Sequence, residues 1–394
     1  MNRFHSLDVF RGATVALMIL VNNPGSWGHI YAPLEHAAWN GCTPTDLVFP
    51  FFLFAVGNAL GFVMPKLEEK NIFWQKVIKR TLLIFIIGLF LSWFPFVKWS
   101  NDHLVFKPWA FIDGHGNQDG VRIMGVLQRI ALCYFFASLI IHFCKLRGAF
   151  VVAGVLLLGY WLLCIAANPS DPFSLTGYFG RNVDIAVLGK SHMLHLDKVD
   201  GKMYHFDYEG LTSTIAAIAQ VIFGYIAGNY IISKGKTPEM LNGLFVAGAV
   251  LMFCGLAWDM QFPLNKKIWS SSYTVYTTGL ALIILSIMIY IIEFKKVTGW
   301  LSRFFDVFGK NALFIFVLSG LLPRLMGLIR IPNGVNAEGK HLYLTPLSWF
   351  YENACKRILP ADPRVGSLIY ALSFIAMMWF LAWLLDRKKI YIKV

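Results

Sequence analysis

The chain has 394 residues, of which 57% are hydrophobic and only 14% charged, and its mean hydropathy is +0.58. A soluble domain carries about 25% charge, so this composition excludes an ordinary soluble enzyme. The net charge of +13 does not point to nucleic acid, because the basic residues fall mostly at the ends of apolar runs, where they set membrane orientation.

Apolar runs of about 20 residues recur, each long enough to cross about 30 Å of hydrocarbon. The pattern predicts an all-α, polytopic membrane bundle of about ten transmembrane helices in a single domain, 1–394, with long outward loops. The expected spans are 6–22, 46–64, 79–97, 124–143, 149–167, 211–232, 240–258, 273–293, 304–322 and 366–386. An even count puts both termini on one side. The short loops of that side hold 18 of the 35 Lys/Arg, which makes it the cytoplasmic side. Loops 23–45, 98–123, 168–210, 259–272 and 323–365 then face outward.

The first run, Leu7 to Val21, contains Asp8 and Arg11 and has no small-x-small cleavage site. It reads as a retained helix rather than a signal peptide. Asp8 and Arg11 are three residues apart, so they share a face and can pair. Charges at membrane depth face the protein interior or a wet cavity.

The loop after it is polar, aromatic and broken by Gly and Pro. With its flanking Asn22 it holds His29, Glu35, His36, Asn23, Asn40, Trp27 and Trp39, yet no Lys or Arg. Imidazole is the side chain best suited to moving protons or an acyl group near neutral pH, which makes His36 a candidate catalytic group. Thr43 is the expected N-cap of the second span, with Pro44 at its first position and Asp46 in its first turn. Asp46 thus has two readings: a helix-dipole partner, or the carboxylate that orients His36.

Loop 98–123 carries Trp99, Asp102, His103, Asp113, His115 and Asp119 and reads as an ordered outward lid without metal spacing. The fourth span buries Gln128 and Arg129, either as a structural hydrogen bond to a neighbouring helix or as contacts to an anionic ligand. In 168–210, MYHFDYEG places Asp207 and Glu209 at the start of the sixth span, one as a cap and the other as a sugar contact. Asp306 and Lys310, four apart, suit a local ion pair.

Six cysteines are scattered with no CxxC. Most read as small buried hydrophobes, with a Cys42–Cys355 disulfide left open. There is no GxSxG, Walker loop or HExxH. Nor is there an inverted repeat with paired broken helices, the usual pointer to a transporter.

SLDVFRG (6–12), HAAWNGCTPTDLVFPFFLF (36–54), GVLQRI (125–130), FDYEGLTST (206–214), NKKIWSSSY (265–273) and GKNALF (309–314) stand in order along the chain. Together they resemble the heparan-α-glucosaminide N-acetyltransferase family and its bacterial NagX-like relatives. The resemblance implies an integral-membrane acyltransferase that moves the acetyl group of cytosolic acetyl-CoA to the amine of a glucosamine-type sugar on the far side.

Under that resemblance His36 matches the essential histidine, Asn22 an asparagine beside it, and Arg129 the arginine of the VLQR motif. Asp46 completes the expected catalytic group. Arg11, Gln128 and Arg129 are expected to meet acetyl-CoA, and Trp39, Asn40, Asp207 and Glu209 the sugar. No metal is implied. The expected setting is a bacterial inner membrane, with a homodimer compatible with the resemblance and no nucleic-acid partner. The competing reading is an amino-sugar permease whose buried polar groups bind cargo; a third is an acyltransferase with another donor or an O-acceptor.

Overall fold

A computed structural model describes residues 4–66, 69–100, 102–112, 116, 118–199, 201–336, 339 and 341–392. Asp113, His115 and Asp200 of the expected outer loops lie outside these residues, as do the side chains of His195 and Asp197.

The described chain is mostly helical. The helices are α1 (His5–Asn22), α2 (Val48–Val63), α3 (Lys70–Trp93), α4 (Val126–Ala167), α5 (Phe179–Leu188), α6 (Thr214–Lys234), α7 (Pro238–Asp259), α8 (Ser271–Ile289), α9 (Trp300–Lys310), α10 (Ala312–Met326), α11 (Pro346–Phe350) and α12 (Pro363–Arg387). Among the described residues, six helical stretches are long and apolar enough to cross a membrane, or seven if the bent pair α9–α10 is one span.

Two details depart from the expected spans. The fourth and fifth merge into the 42-residue α4, which is interrupted at Lys145, where φ is 57° and ψ is −169°. At 1.5 Å per residue an unbroken helix of that length would be about twice the hydrocarbon thickness. Lys145 and Arg147 sit at the break, as basic residues at a membrane surface should. The ninth span, expected at 304–322, is bent by 81° at Asn311. That bend is held from outside: the Asn311 side chain donates to the Ile390 carbonyl (3.1 Å) and accepts from Ile392 N (2.8 Å).

The segments between the helices also contain sheet that an all-α reading omits. Among the described residues four separate antiparallel hairpins form: β1–β2 (Val97–Ser100, His103–Phe106), β3–β4 (Ala110–Ile112, Gln118–Gly120), β5–β6 (His195–Val199, Lys202–Phe206) and β7–β8 (Ile331–Val335, His341–Leu344). Periodicity over three to five residues is too short to mark them.

The core is built on α2 and α6, whose backbones touch. A Cβ on Gly57 would lie 1.9 Å from the Val221 carbonyl, and one on Gly224 would lie 2.1 Å from that of Phe54. Such small-residue contacts substitute for hydrophobic driving force between helices in lipid. Leu53, Phe54, Ala217, Val221 and Ile222 are fully buried here. This contact seats α2 against α6, and the turn at the start of α2 carries the candidate site.

Two expected ion pairs are present: Arg11–Asp8 at 3.6 Å and Lys310–Asp306 at 2.8 Å, the latter extended by Lys310–Asp386 at 3.1 Å. All six cysteines are free thiols, Cys42 and Cys355 included.

Candidate active site

Pro44–Leu47 is a tight turn leading into α2, and it begins with a complete capping box. Asp46 Oδ2 accepts from Thr43 N (3.1 Å) and Thr43 Oγ1 (3.1 Å), and also from Ala37 N (3.0 Å). Its other oxygen, Oδ1, lies 2.6 Å from His36 Nδ1. The structural and the functional readings of Asp46 therefore coexist on one carboxylate. The Tyr273 hydroxyl donates to the Asp46 carbonyl at 2.5 Å, tying α8 to the same turn. Asp46 is 1% exposed, whereas the His36 side chain is 40% exposed.

A carboxylate at Nδ1 fixes the tautomer: Nδ1 donates, and Nε2 is left with its lone pair. That is the arrangement of a general base or a nucleophile. Glu35, the neighbouring carboxylate in the loop, is exposed, and its carbonyl accepts from Thr43 Oγ1 at 2.6 Å.

The loop between α7 and α8 adds a group that was not singled out from sequence. Lys266 Nζ lies 3.1 Å from His36 Nδ1, 3.4 Å from Nε2 and 3.6 Å from Asp46 Oδ1. Burial pushes the Lys266 ammonium below the ordinary lysine range, against the pull of Asp46 and Glu209. The lysine is positioned by Asn265, whose Nδ2 donates to Asn40 Oδ1 at 3.1 Å, and by Gly41 N donating to the Leu264 carbonyl at 2.7 Å. Asn40 thereby clasps two loops together. Nothing in the sequence joins positions 36 and 266; NKK before an apolar run looks like any basic loop end.

A cavity of ≈ 950 Å³ opens beside this cluster, between α1, α3, α4 and α10, at the upper end of the range for ligand pockets. His36, Asp46, Asn22, Trp39, Gln128, Glu209 and Lys266 all line it. Lys267 reaches over the rings of Trp39 (5.6 Å) and Tyr208 (4.9 Å) at its rim, and the Trp39 indole donates to the Phe173 carbonyl at 2.9 Å.

The remaining expected residues lie around the cavity rather than on its lining. Asp207 is fully buried, gripped by Arg122 through Nε (3.0 Å) and Nη2 (2.5 Å), and it accepts from Leu194 N and Glu209 N. Arg122 also pairs with Glu209. Burial alone would raise the Glu209 carboxyl; the Arg122 and Arg129 guanidiniums outweigh it and hold the group below its ordinary value. Asp207 thus positions Arg122, and Arg122 positions Glu209. Arg129 is wholly buried; it donates to the Gly210 carbonyl (3.0 Å) and to Ser213 Oγ and packs over the Trp269 ring. Arg11 sits about three turns before Asn22 on α1, beside Asp8.

Residues 3–181 match the family model described as heparan-alpha-glucosaminide N-acetyltransferase, catalytic. The heparan-alpha-glucosaminide N-acetyltransferase of Homo sapiens is 26% identical over 368 residues, covering 80% of this chain and 52% of the human protein. Its Mus musculus counterpart is 26% identical over 369 residues, covering 80% and 53%. The chain spans about half the length of these curated relatives. The segment matched by the family model, 3–181, contains Asn22, His36, Asp46, Gln128 and Arg129, while Asp207, Glu209 and Lys266 lie beyond that segment.

Proposed function

This chain belongs to the heparan-alpha-glucosaminide N-acetyltransferase family, and from that premise we propose that it is a membrane acetyltransferase moving the acetyl group of acetyl-CoA to the amine of a glucosamine-type sugar. The observation that carries the reading is the 2.6 Å His36–Asp46 contact on the wall of a large cavity within a helical membrane bundle.

Nε2 of His36 takes the proton of the attacking amine in direct transfer, or attacks the thioester itself in a two-step route. Asn22, on the same cavity wall, donates to the developing oxyanion, a contribution often worth about 3 kcal/mol. Trp39 and Glu209 hold the sugar, the ring by stacking and the carboxylate by its hydroxyls or amine. Gln128 is placed to meet the acyl donor. Arg129 and Arg11 act at a distance: Arg129 by fixing the entry to α6 through Gly210 and Ser213, Arg11 on the approach from the N-terminal side.

In this reading α1, α3, both halves of α4 and the bent α9–α10 pair join the other long helices to give ten spans. Both termini are then cytoplasmic, the protein sits in a bacterial inner membrane, and the sugar arrives from the outer side, with a homodimer as the assembly.

The test uses sealed vesicles of known orientation, with acetyl-labelled acetyl-CoA on the cytoplasmic face and glucosamine on the other. Labelled N-acetylglucosamine from wild type, absent with His36→Ala, supports the reading. Undiminished product from the variant removes His36 from the mechanism, and glucosamine crossing unmodified points to a permease instead.

A further inference from the structure

Lys266 has a placement that charge pairing alone does not explain. Its Nζ is nearer to both imidazole nitrogens of His36 (3.1 and 3.4 Å) than to the Asp46 carboxylate (3.6 Å). The position is built rather than incidental, because both neighbouring loops are clasped through Asn265–Asn40 and Gly41–Leu264. A fixed ammonium beside a base that must gain a proton opposes that gain at short range. The opposition disappears if the ammonium gives up its own proton in the same step. An acyl transfer from a thioester needs such a proton, because the leaving sulfur departs as a thiolate.

We propose that Lys266 is the acid that protonates the leaving thiolate, acting as a proton couple with His36; this rests on the acetyl-transfer reading above. The amine nitrogen attacks the thioester carbon, the C–N bond forms, and the C–S bond breaks with its electron pair going to sulfur. The amine proton passes to His36 Nε2, and a Lys266 Nζ proton passes to sulfur, releasing the free thiol. What remains is an imidazolium and a neutral amine 3.4 Å apart. Transfer of one proton from Nε2 to Nζ restores both groups for the next turnover. The partial burial of Lys266, 18% exposed as a side chain, suits a lysine that must part with a proton.

The experiment compares two donors, acetyl-CoA and an acetyl aryl thioester whose thiolate leaves without protonation, with glucosamine as acceptor and purified full-length protein. Each variant is normalised to wild type on the same donor. Lys266→Met is expected to lose about 10²-fold in kcat with acetyl-CoA, and less than about tenfold with the aryl donor. Lys266→Arg keeps the charge but does not release its proton, so it is expected to show the same donor split. Equal loss on both donors in both variants overturns the proposal, as does full activity of Lys266→Arg with acetyl-CoA. A wild type that acetylates no amine ends the acetyl-transfer reading itself, whereas an active wild type without the donor split ends only the role of Lys266.

Discussion

Asp46 and His36 share one short contact, 2.6 Å between Oδ1 and Nδ1, while the second oxygen of the same carboxylate closes the cap at the start of α2. Helix start and imidazole orientation are therefore separable by substitution. Asp46→Asn retains a good capping side chain but not the anion that holds the tautomer. It is expected to lower kcat by about 10²-fold or more, with KM and thermal unfolding little changed. Asp46→Ala is expected to lose the same activity and about 1 kcal/mol of stability besides. Steady-state kinetics and unfolding in detergent separate the two.

Arg122 sits between two buried carboxylates, Asp207 and Glu209. Removing it leaves both uncompensated, so Arg122→Met is expected to cost about 3–5 kcal/mol. Adding Asp207→Asn and Glu209→Gln to that variant should recover much of the loss, since no buried charge then lacks a partner. Thermal unfolding of the single and triple variants is the check; a single variant as stable as wild type would contradict the network.

The α2–α6 contact predicts a contrast between two glycines. A Cβ at Gly57 meets the Val221 carbonyl at 1.9 Å, whereas one at Gly154 in α4 meets nothing within 4 Å. Gly57→Ala is expected to destabilise by at least about 1–3 kcal/mol. Gly154→Ala should be neutral or slightly stabilising, because alanine is the better helix former by about 1 kcal/mol. The folded fraction after detergent extraction reads both.

Asp184 on α5 is buried and accepts from Leu211 N (3.0 Å) and Thr212 N (3.3 Å). Burial raises its carboxyl from 3.8 to about 6, with the nearby Asp207 charge pushing the same way. A folded-state value above the unfolded one means the native protein binds the proton more tightly. Its stabilising contribution is complete below pH about 4 and is lost as pH rises through about 6. Wild type should therefore gain stability relative to Asp184→Asn as pH falls from about 7 to about 5. Unfolding temperatures of the pair across that range test it, and parallel curves would refute it.

The parts of this architecture that were legible in sequence are those with a local signature. The cap Thr43–Pro44–Asp46, the Asp8–Arg11 and Asp306–Lys310 pairs and the apolar runs each depend on residues within a few positions of one another. His36, Asn22, Trp39, Gln128 and Glu209 meet at one cavity because α1, α4 and the loop before α6 converge there, an outcome hydropathy only suggests. Lys266 and Arg122 have no local signature because their partners lie 230 and 85 residues away, and a basic residue in a loop is unremarkable until its neighbours are known. The bend at Asn311 is hidden for a different reason: α9 and α10 together are long and apolar enough to pass as one span in spite of Asp306 and Lys310, so the break leaves no mark in the hydropathy.

The contrast in accessibility within the dyad has a consequence of its own. The ring of His36 is the only part of the pair that water reaches freely, and the carboxylate behind it is held rigid by backbone donors whether or not the ring is there. Cutting the ring away would leave a vacant socket with its anchor still set. In His36→Gly, free imidazole added to the buffer should settle against Asp46 and return part of the lost turnover in a saturable way. The same addition should do nothing for Asp46→Ala, where the socket has no floor.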